Sequence, residues 1–267
     1  MKLVSIERAD RPAFQARLER FDQHWTYPYG DDRFRLDHGV DYYAFFDRLG
    51  EVSANAFVDG DEIIGMGIAV LRRVPFRRGA RPGKVWYLCD GKVHPEHRGQ
   101  KLAFKAAGQK FLQHYWKAQR AYGITMNPGD GSENGVVRHA MRYRLAPFHI
   151  GGVLEIYSFD EEGMRAIEPL LERHRGPLSY LSLEGKKDLV MQSTQARLPL
   201  LHAQFGPCAE DGLAEPLPGH THMFCALAGD ALARDLEREG VAPDATATIL
   251  AHRMHDCDWQ FVLTSDI

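Results

Sequence analysis

The stretch from residue 84 to residue 103 constrains the fold of this chain more than any other part of the sequence. It begins with an apolar run, residues 85–89, whose composition is typical of a central β-strand. Pro95 ends that strand, because proline lacks the N–H that a ladder needs. A polar turn follows, and a strongly helical pattern begins at about Gly99. The sequence therefore predicts a strand, a tight turn and a helix in immediate succession.

The turn between this strand and helix has the composition of a phosphate-binding site. The first amides of a helix have no partners within it and lie at the positive end of its dipole. Gly99 allows the backbone to approach a ligand closely, Arg98 adds a positive charge, and small Ala103 lets the helix start pack beside the ligand. These residues predict that a diphosphate binds here. A purely structural turn is the alternative.

The same turn resembles the signature of the Gcn5-related N-acetyltransferase (GNAT) superfamily, Val-x-Pro-x-x-Arg-Gly-x-Gly-x-Gly/Ala. The matching positions are Val93, Pro95, Arg98, Gly99 and Ala103. Lys101 departs from the signature, since the family usually has glycine there. The order of predicted elements over residues 1–160 is also similar to that of the family. The resemblance implies an α/β (α+β) fold with a mixed, mostly antiparallel sheet flanked by helices.

The resemblance also implies a ligand and a reaction. The ligand is an acyl-CoA, in the simplest case acetyl-CoA, which gives its acyl group directly to an amine. Backbone amides near the end of the central strand would polarise the thioester carbonyl, and residues 122–126 would splay from that strand to leave a slot for pantetheine. Asn127 or Asn134 resembles an asparagine of the family, and Asn134 is taken as the ligand residue. The predicted cofactor-binding residues are Lys92, Val93, Arg98, Gly99, Gln100, Lys101, Leu102, Ala103 and Asn134.

Three side chains are candidates for the proton transfers. Asp90 is the predicted base, because family members often carry a carboxylate near this point, and a salt-bridged acid at a strand end is the alternative. Tyr143 is the predicted acid, although it could equally pack on the sheet. His139 lies one helical turn earlier and could take either role. Strand alternation places Cys89 and Asp90 on opposite faces, so no cysteine nucleophile is predicted.

The rest of the chain is less informative. Residues 25–32 are aromatic and turn-rich and are predicted to form a loop. The expected division is a GNAT-like domain over residues 1–160 and a smaller C-terminal α/β domain of unknown role over residues 161–267, with a last strand at residues 259–264. No internal repeat is visible. Scattered histidines and cysteines near residues 220–257 match no zinc pattern, so no metal is predicted.

Composition narrows the function further. The net charge is −3, which argues against general nucleic-acid binding, and no apolar run approaches the length of a membrane span. The polar N-terminus and four widely spaced cysteines indicate a cytoplasmic protein.

Three functions are weighed against this background. The first is N-acylation of a small amine or amino acid, with an acceptor pocket formed by an aromatic set: Trp25, Tyr27, Tyr29, Tyr42 and Tyr43. The second is a non-catalytic acyl-CoA-binding or regulatory module, in which residues 161–267 serve dimerisation or sensing. A homodimer is one assembly that this function allows. The third is acylation of a protein or tRNA, for which the mildly acidic composition gives no support.

Overall fold

The computed structural model describes residues 1–100, 102, 106, 114–144, 146–205 and 212–267. Its strands are β1 (Lys2–Ile6), β2 (Tyr27–Tyr29), β3 (Asp32–Asp37), β4 (Glu51–Asp59), β5 (Glu62–Val74), β6 (Gly83–Val93), β7 (Ala121–Met126), β8 (His149–Phe159), β9 (Leu178–Ser182), β10 (Asp188–Met191), β11 (Arg197–Leu198), β12 (Leu200–Phe205), β13 (Thr221–Leu227) and β14 (Ala245–His252). Its helices are α1 (Arg11–Asp22), α2 (Ala44–Leu49), α3 (Gly135–Ala140), α4 (Glu161–Arg175) and α5 (Ala231–Arg238). Leu102 and Ala106 are also helical.

Ten of these strands form one sheet in the order β1-β4-β5-β6-β7-β14-β8-β13-β12-β9. Within the described strands of this sheet, β6 with β7 and β12 with β13 are the parallel pairs. The other neighbours in the sheet are antiparallel. The predicted fold class, a mixed and mostly antiparallel sheet flanked by helices, is therefore confirmed.

Residues 25–32 are not the loop that the sequence predicted. They contain β2, which pairs with β3 so that Tyr27 lies opposite Phe34 and Tyr29 opposite Asp32. Gly30, with φ of +52°, makes the hairpin turn between them. The turn residues were visible in the sequence, but the flanking strands were too short to show an alternation. β10 and β11 extend this hairpin into a second, four-stranded sheet in the order β11-β10-β3-β2.

The two halves of the large sheet have the same arrangement, which the sequence did not reveal. In the first half, β5 lies antiparallel to β6, β6 lies parallel to β7, and α3 and β8 follow. In the second half, β9 lies antiparallel to β12, β12 lies parallel to β13, and α5 and β14 follow. The last strands are exchanged, since β14 pairs with β7 and β8 pairs with β13. An approximate two-fold axis therefore passes between β8 and β14.

This exchange bears on the predicted division of the chain. The expected boundary near residue 160 falls between β8 and α4. β14 of the second half lies between β7 and β8 of the first half, so both halves share one sheet. The division into two domains remains a prediction. The strand order shows that the two units share one continuous sheet.

The predicted strand at residues 259–264 is wrong. This segment forms turns and a short 3-10 helix, Thr264–Asp266. It runs between β12 and β13, where Thr264 Oγ1 donates to Met223 O at 3.1 Å and His202 Nδ1 lies 3.1 Å from Thr264 Oγ1. Leu263 is 1% exposed and packs in the core beneath α4 and α5. Val262 packs in the main core on the other side of the sheet. Apolar residues that fill a gap give the same sequence pattern as a buried strand, and for that reason the pattern predicts a strand here.

Ion pairs tie this last segment to the first half. Asp266 is buried, and one of its oxygens lies 3.1 Å from Arg72 of β5. Arg48 of α2 lies 3.7 Å from its other oxygen. Within the described part of the chain, no helix is both long and apolar enough to cross a membrane.

Candidate active site

β6 and β7 form a fork in the middle of the large sheet. They pair over three positions, from Trp86 opposite Ala121 to Leu88 opposite Gly123. Beyond Leu88, β6 continues to Val93 and pairs only with β5 on its other side. The whole of β7, from Ala121 to Met126, pairs with β14 on its other side. Among the described residues no strand pairs between the outer parts of β6 and β7, which leaves a slot there, as the predicted splaying of residues 122–126 requires.

Two residues at the base of the fork suit it to a ligand. A Cβ atom at Gly123 would lie 2.9 Å from Leu88 O, so glycine allows the closest approach of the two strands. Leu88 is 38% exposed, although it belongs to a central strand. An apolar side chain exposed at the base of an open slot is available to contact a bound molecule.

The turn after β6 leaves its backbone open to solvent. Pro95–His97 form a single 3-10 turn, and Arg98, Gly99 and Gln100 that follow are exposed. Gly99 has φ of +83°, a left-handed conformation that strongly favours glycine. Gln100 Nε2 lies 3.2 Å from His97 Nδ1. The structure thus places three of the predicted cofactor residues together at the mouth of the slot. Lys101 and Ala103 lie outside the described residues, and Leu102 is buried against Phe57 and Ile64.

A β-bulge interrupts β6 before this turn. Cys89 lies opposite Ile68 and Lys92 opposite Met66, so Asp90 and Gly91 share the single position opposite Gly67. Asp90 has φ of +51°, which is unusual for a residue with a side chain.

The bulge overturns the prediction that Cys89 and Asp90 point to opposite faces. Cys89 packs against the main core, which contains Tyr42, and Asp90 accepts a hydrogen bond from the Tyr42 hydroxyl. The extra residue breaks the alternation on which the prediction depended. Burial and the charge of Asp90 raise the pKa of the Cys89 thiol above its ordinary value, which disfavours a thiolate nucleophile.

Asp90 belongs to a buried group that we call the Asp90 cluster: Asp22, His38, Tyr42, Asp90 and Lys92. Lys92 Nζ lies 2.5 Å from Asp90 Oδ1 and also donates to Asp22 Oδ1. Asp22 Oδ2 lies 3.5 Å from His38 Nε2, and the His38 ring stacks on Tyr42 with 4.0 Å between centroids. The side chains of Asp22, Asp90 and Lys92 are 11%, 7% and 4% exposed, so the cluster lies almost wholly inside the protein.

The charges in this cluster stabilise one another. Burial alone would raise the pKa of Asp22, but hydrogen bonding from His38 and the charge of Lys92 outweigh it and lower the pKa to about 2. Burial alone would lower the pKa of Lys92, but the Asp90 carboxylate, with Tyr27 and Asp22, raises it well above its ordinary value. Lys92 is therefore held as an ammonium between two carboxylates. A charged lysine has no lone pair with which to act as a nucleophile.

The remaining predicted residues lie on or near α3. Asn134 is the N-cap of this helix, since its Oδ1 accepts from Val136 N at 3.0 Å. Its Nδ2 donates to Met126 O at 3.0 Å and so ties the helix to the end of β7. His139 is exposed, and its Nδ1 lies 2.6 Å from Gly135 O in its own helix. Tyr143 is half-buried, and partial burial raises the pKa of its phenol. The cofactor and catalytic roles of these residues remain predictions.

The scattered histidines of the second half have structural partners. His222 Nε2 accepts from Leu217 N at 3.0 Å, and His252 Nδ1 lies 2.8 Å from Pro147 O. Among the residues that the structure describes, no group of three or more His, Cys, Asp or Glu side chains is placed to hold a metal ion. Cys208 lies outside those residues.

Sequence reasoning missed Asp22, His38 and Gly123, although two of them leave a signal. Lys92 interrupts a central apolar strand, and a buried lysine requires a buried counter-charge somewhere in the chain. Asp22 is one turn after Leu18 on the buried face of α1 and was the natural candidate. Gly123 inside a short strand indicates a close backbone approach. His38 left no comparable signal.

Comparison with known proteins agrees with this architecture. No protein-family model matches the chain. Uncharacterized protein L340 of Acanthamoeba polyphaga mimivirus is 24% identical over 232 residues, covering 85% of this chain and 68% of that protein. A tandem GNAT protein from the clavulanic acid biosynthesis pathway matches 94% of this chain and 98% of its own length, with a TM-score of 0.54 and 10% identity.

A GCN5-related N-acetyltransferase from Kribbella flavida is also similar, at 11% identity and a TM-score of 0.37 over 76% of this chain and 60% of its own. The match to the tandem protein is the informative one, because it spans both halves and the whole shared sheet. The chain therefore has the fold of the GNAT superfamily.

Proposed function

We propose that this protein is an acyl-CoA-dependent N-acyltransferase, with acetyl-CoA as the simplest donor and a small amine as the acceptor. The observation that carries the proposal is the fork of β6 and β7, with the exposed turn at Arg98–Gln100 at its mouth. A diphosphate would lie on the amides of this turn beside Arg98, and the pantetheine would enter the slot. Leu88 would then contact the pantetheine or the acyl group.

Direct transfer needs an oxyanion donor and two proton transfers. The backbone of Lys92 and Val93, at the edge of the open slot, is the proposed donor to the thioester carbonyl oxygen. The amine must lose a proton to a base, directly or through a chain of waters, before or during its attack on the carbonyl carbon, and the CoA thiolate leaves as the carbon–sulfur bond breaks. Tyr143 is the proposed acid for that thiolate, because a phenol carries its proton at neutral pH.

The proposed acceptor side is the face of the sheet covered by α1, α2 and the β2–β3 hairpin. Trp25, Tyr27 and Tyr29 are half-buried there, whereas Tyr42 and Tyr43 lie fully within the core. The first three therefore support a pocket for an acceptor with apolar surface, and the last two support the fold.

The experiment is a CoA-release assay with acetyl-CoA and longer acyl-CoAs against a panel of small amines and amino acids. Turnover with at least one amine supports the proposal, and binding of CoA without turnover supports the non-catalytic alternative. Absence of CoA binding by calorimetry would exclude both. Arg20→Glu, an equally exposed charge reversal at the end of α1, is the matched control for Arg98→Glu, which should weaken donor binding.

A further inference from the structure

The Asp90 carboxylate is fully engaged inside the protein. Its Oδ2 accepts a hydrogen bond from the Tyr42 hydroxyl, and its Oδ1 lies 2.5 Å from Lys92 Nζ. Its side chain is 7% exposed, although the backbone at residues 90 and 91 reaches the surface. A general base must come within hydrogen-bond distance of the proton that it removes. Asp90 could do so only by giving up Tyr42 or Lys92, since each of its oxygens already has a partner inside the protein.

The same carboxylate is attached to an unusual backbone. Asp90 adopts a left-handed conformation in the bulge, which aspartate tolerates better than most residues but which still costs free energy relative to a normal strand conformation. Tyr42 and Lys92 supply a constraint that holds it, because both bind the Asp90 side chain on the face of the sheet that packs against the main core. Asp22 in turn holds the Lys92 ammonium, so the constraint reaches back to α1. The cluster thus fixes the backbone that leads into residues 92 and 93.

We propose that Asp90 is a positioning residue rather than the general base. Its carboxylate, held by Tyr42 and Lys92, keeps residues 90 and 91 in the bulge. The bulge aims the following backbone amides at the thioester carbonyl. This inference rests on the proposed function, because it names how one residue serves that reaction. It replaces the base role expected for Asp90 with a role exerted through the main chain.

Two substitutions separate the roles. Asp90→Asn cannot accept a proton, yet it keeps an acceptor oxygen for Tyr42 or Lys92 and tolerates the left-handed backbone. We therefore expect kcat within about tenfold of the wild-type value. Asp90→Ala removes both contacts and should lower kcat by about 100-fold, with little change in the KM of the donor. In both variants Lys92 retains Asp22 as its counter-charge, so the fold should survive.

A base would give a different pattern. Loss of a general base lowers kcat by about 10²–10⁴-fold whichever residue replaces it, so equal losses in the Asn and Ala variants would overturn the inference. Glu184 provides the matched control, because it also has positive φ, +52°, but lies in an exposed turn. Glu184→Gln and Glu184→Ala should leave kcat unchanged.

A second measurement does not depend on turnover. The Val93 amide signal in a ¹⁵N–¹H spectrum, three residues beyond the substitution, should keep its position in Asp90→Asn and shift in Asp90→Ala. A Val93 signal that stays in place in Asp90→Ala would overturn the inference even if the enzyme is active. Should the wild-type protein bind CoA but acylate no amine, the proposed function fails, and this spectrum still decides whether Asp90 holds the bulge.

Discussion

The fork between β6 and β7 can be tested at its base by replacing Gly123 with alanine. The new Cβ would lie 2.9 Å from Leu88 O, a backbone atom that cannot rotate away. An ordinary carbon–oxygen contact is about 3.4 Å, so the strands must separate by about 0.5 Å at their last paired position. Overpacking of this kind destabilises a protein by about 1–3 kcal/mol. In a chain of this length that lowers the thermal midpoint by about 2 °C per kcal/mol, or roughly 2–6 °C in total.

The same shift should reach the reaction. A misplacement of 1 Å can lower a rate by about 100-fold, so a 0.5 Å change at the fork should lower kcat/KM for acetyl-CoA on the order of tenfold. Steady-state kinetics and a thermal melt of the same preparation measure the two effects. Gly135→Ala is the control, because a Cβ there meets no atom within 4 Å and its φ is not positive. A lower melting temperature with unchanged kcat/KM would show that the fork does not hold the donor. If neither the melting temperature nor kcat/KM changes, the close contact between the new Cβ and Leu88 O is refuted.

Three further predictions concern the turn, the cluster and the last segment. Arg98→Glu should raise the KM of acetyl-CoA by about tenfold or more, because the charge of residue 98 would face a phosphate across partly screening solvent. The melting temperature should not change, since the side chain is exposed. An unchanged KM would contradict a diphosphate site at this turn. The pKa of Asp22 is depressed to about 2, so its contribution of about 2 kcal/mol is complete above its ordinary pKa of 3.8 and is lost as pH falls towards 2. Urea unfolding between pH 2 and 5 should therefore show a steeper loss of stability in the wild-type protein than in Asp22→Asn, and parallel curves would refute the coupling. Leu263→Ala should lower the free energy of unfolding by about 2–5 kcal/mol in chemical denaturation, since this side chain is 1% exposed, and an effect below about 1 kcal/mol would contradict its packing.

The proposed donor side of the site could be predicted from the sequence because its parts are contiguous. Strand, turn and helix start lie within residues 84–103, and local rules on proline, glycine and helix dipoles apply to them directly. The Asp90 cluster could not be predicted in this way. Asp22 and Lys92 are joined by an ion pair between residues 70 positions apart in the sequence, and no local pattern gives their distance.

The errors in the fold have related causes. The bulge at Asp90 adds one residue to a strand, and an alternation counted along the sequence cannot show it. Residues 259–264 are mostly apolar because they fill the gap between β12 and β13. A buried irregular segment has the same composition as a buried strand, so composition cannot distinguish them. The exchange of β8 and β14 depends on which strands pair after the chain has folded. The sequence of any one segment therefore cannot reveal it.

The position of β14 sets an order for biosynthesis. Met126 of β7 pairs with Ala247 of β14, so one wall of the fork gains its neighbour only after roughly 120 further residues have left the ribosome, about 6–24 s at ordinary rates of translation. Until then the outer edge of β7 has unpaired backbone N–H and C=O groups, which can pair with other chains and cause aggregation. The nascent first half therefore depends on β14, which is translated much later, before this wall of the fork is complete.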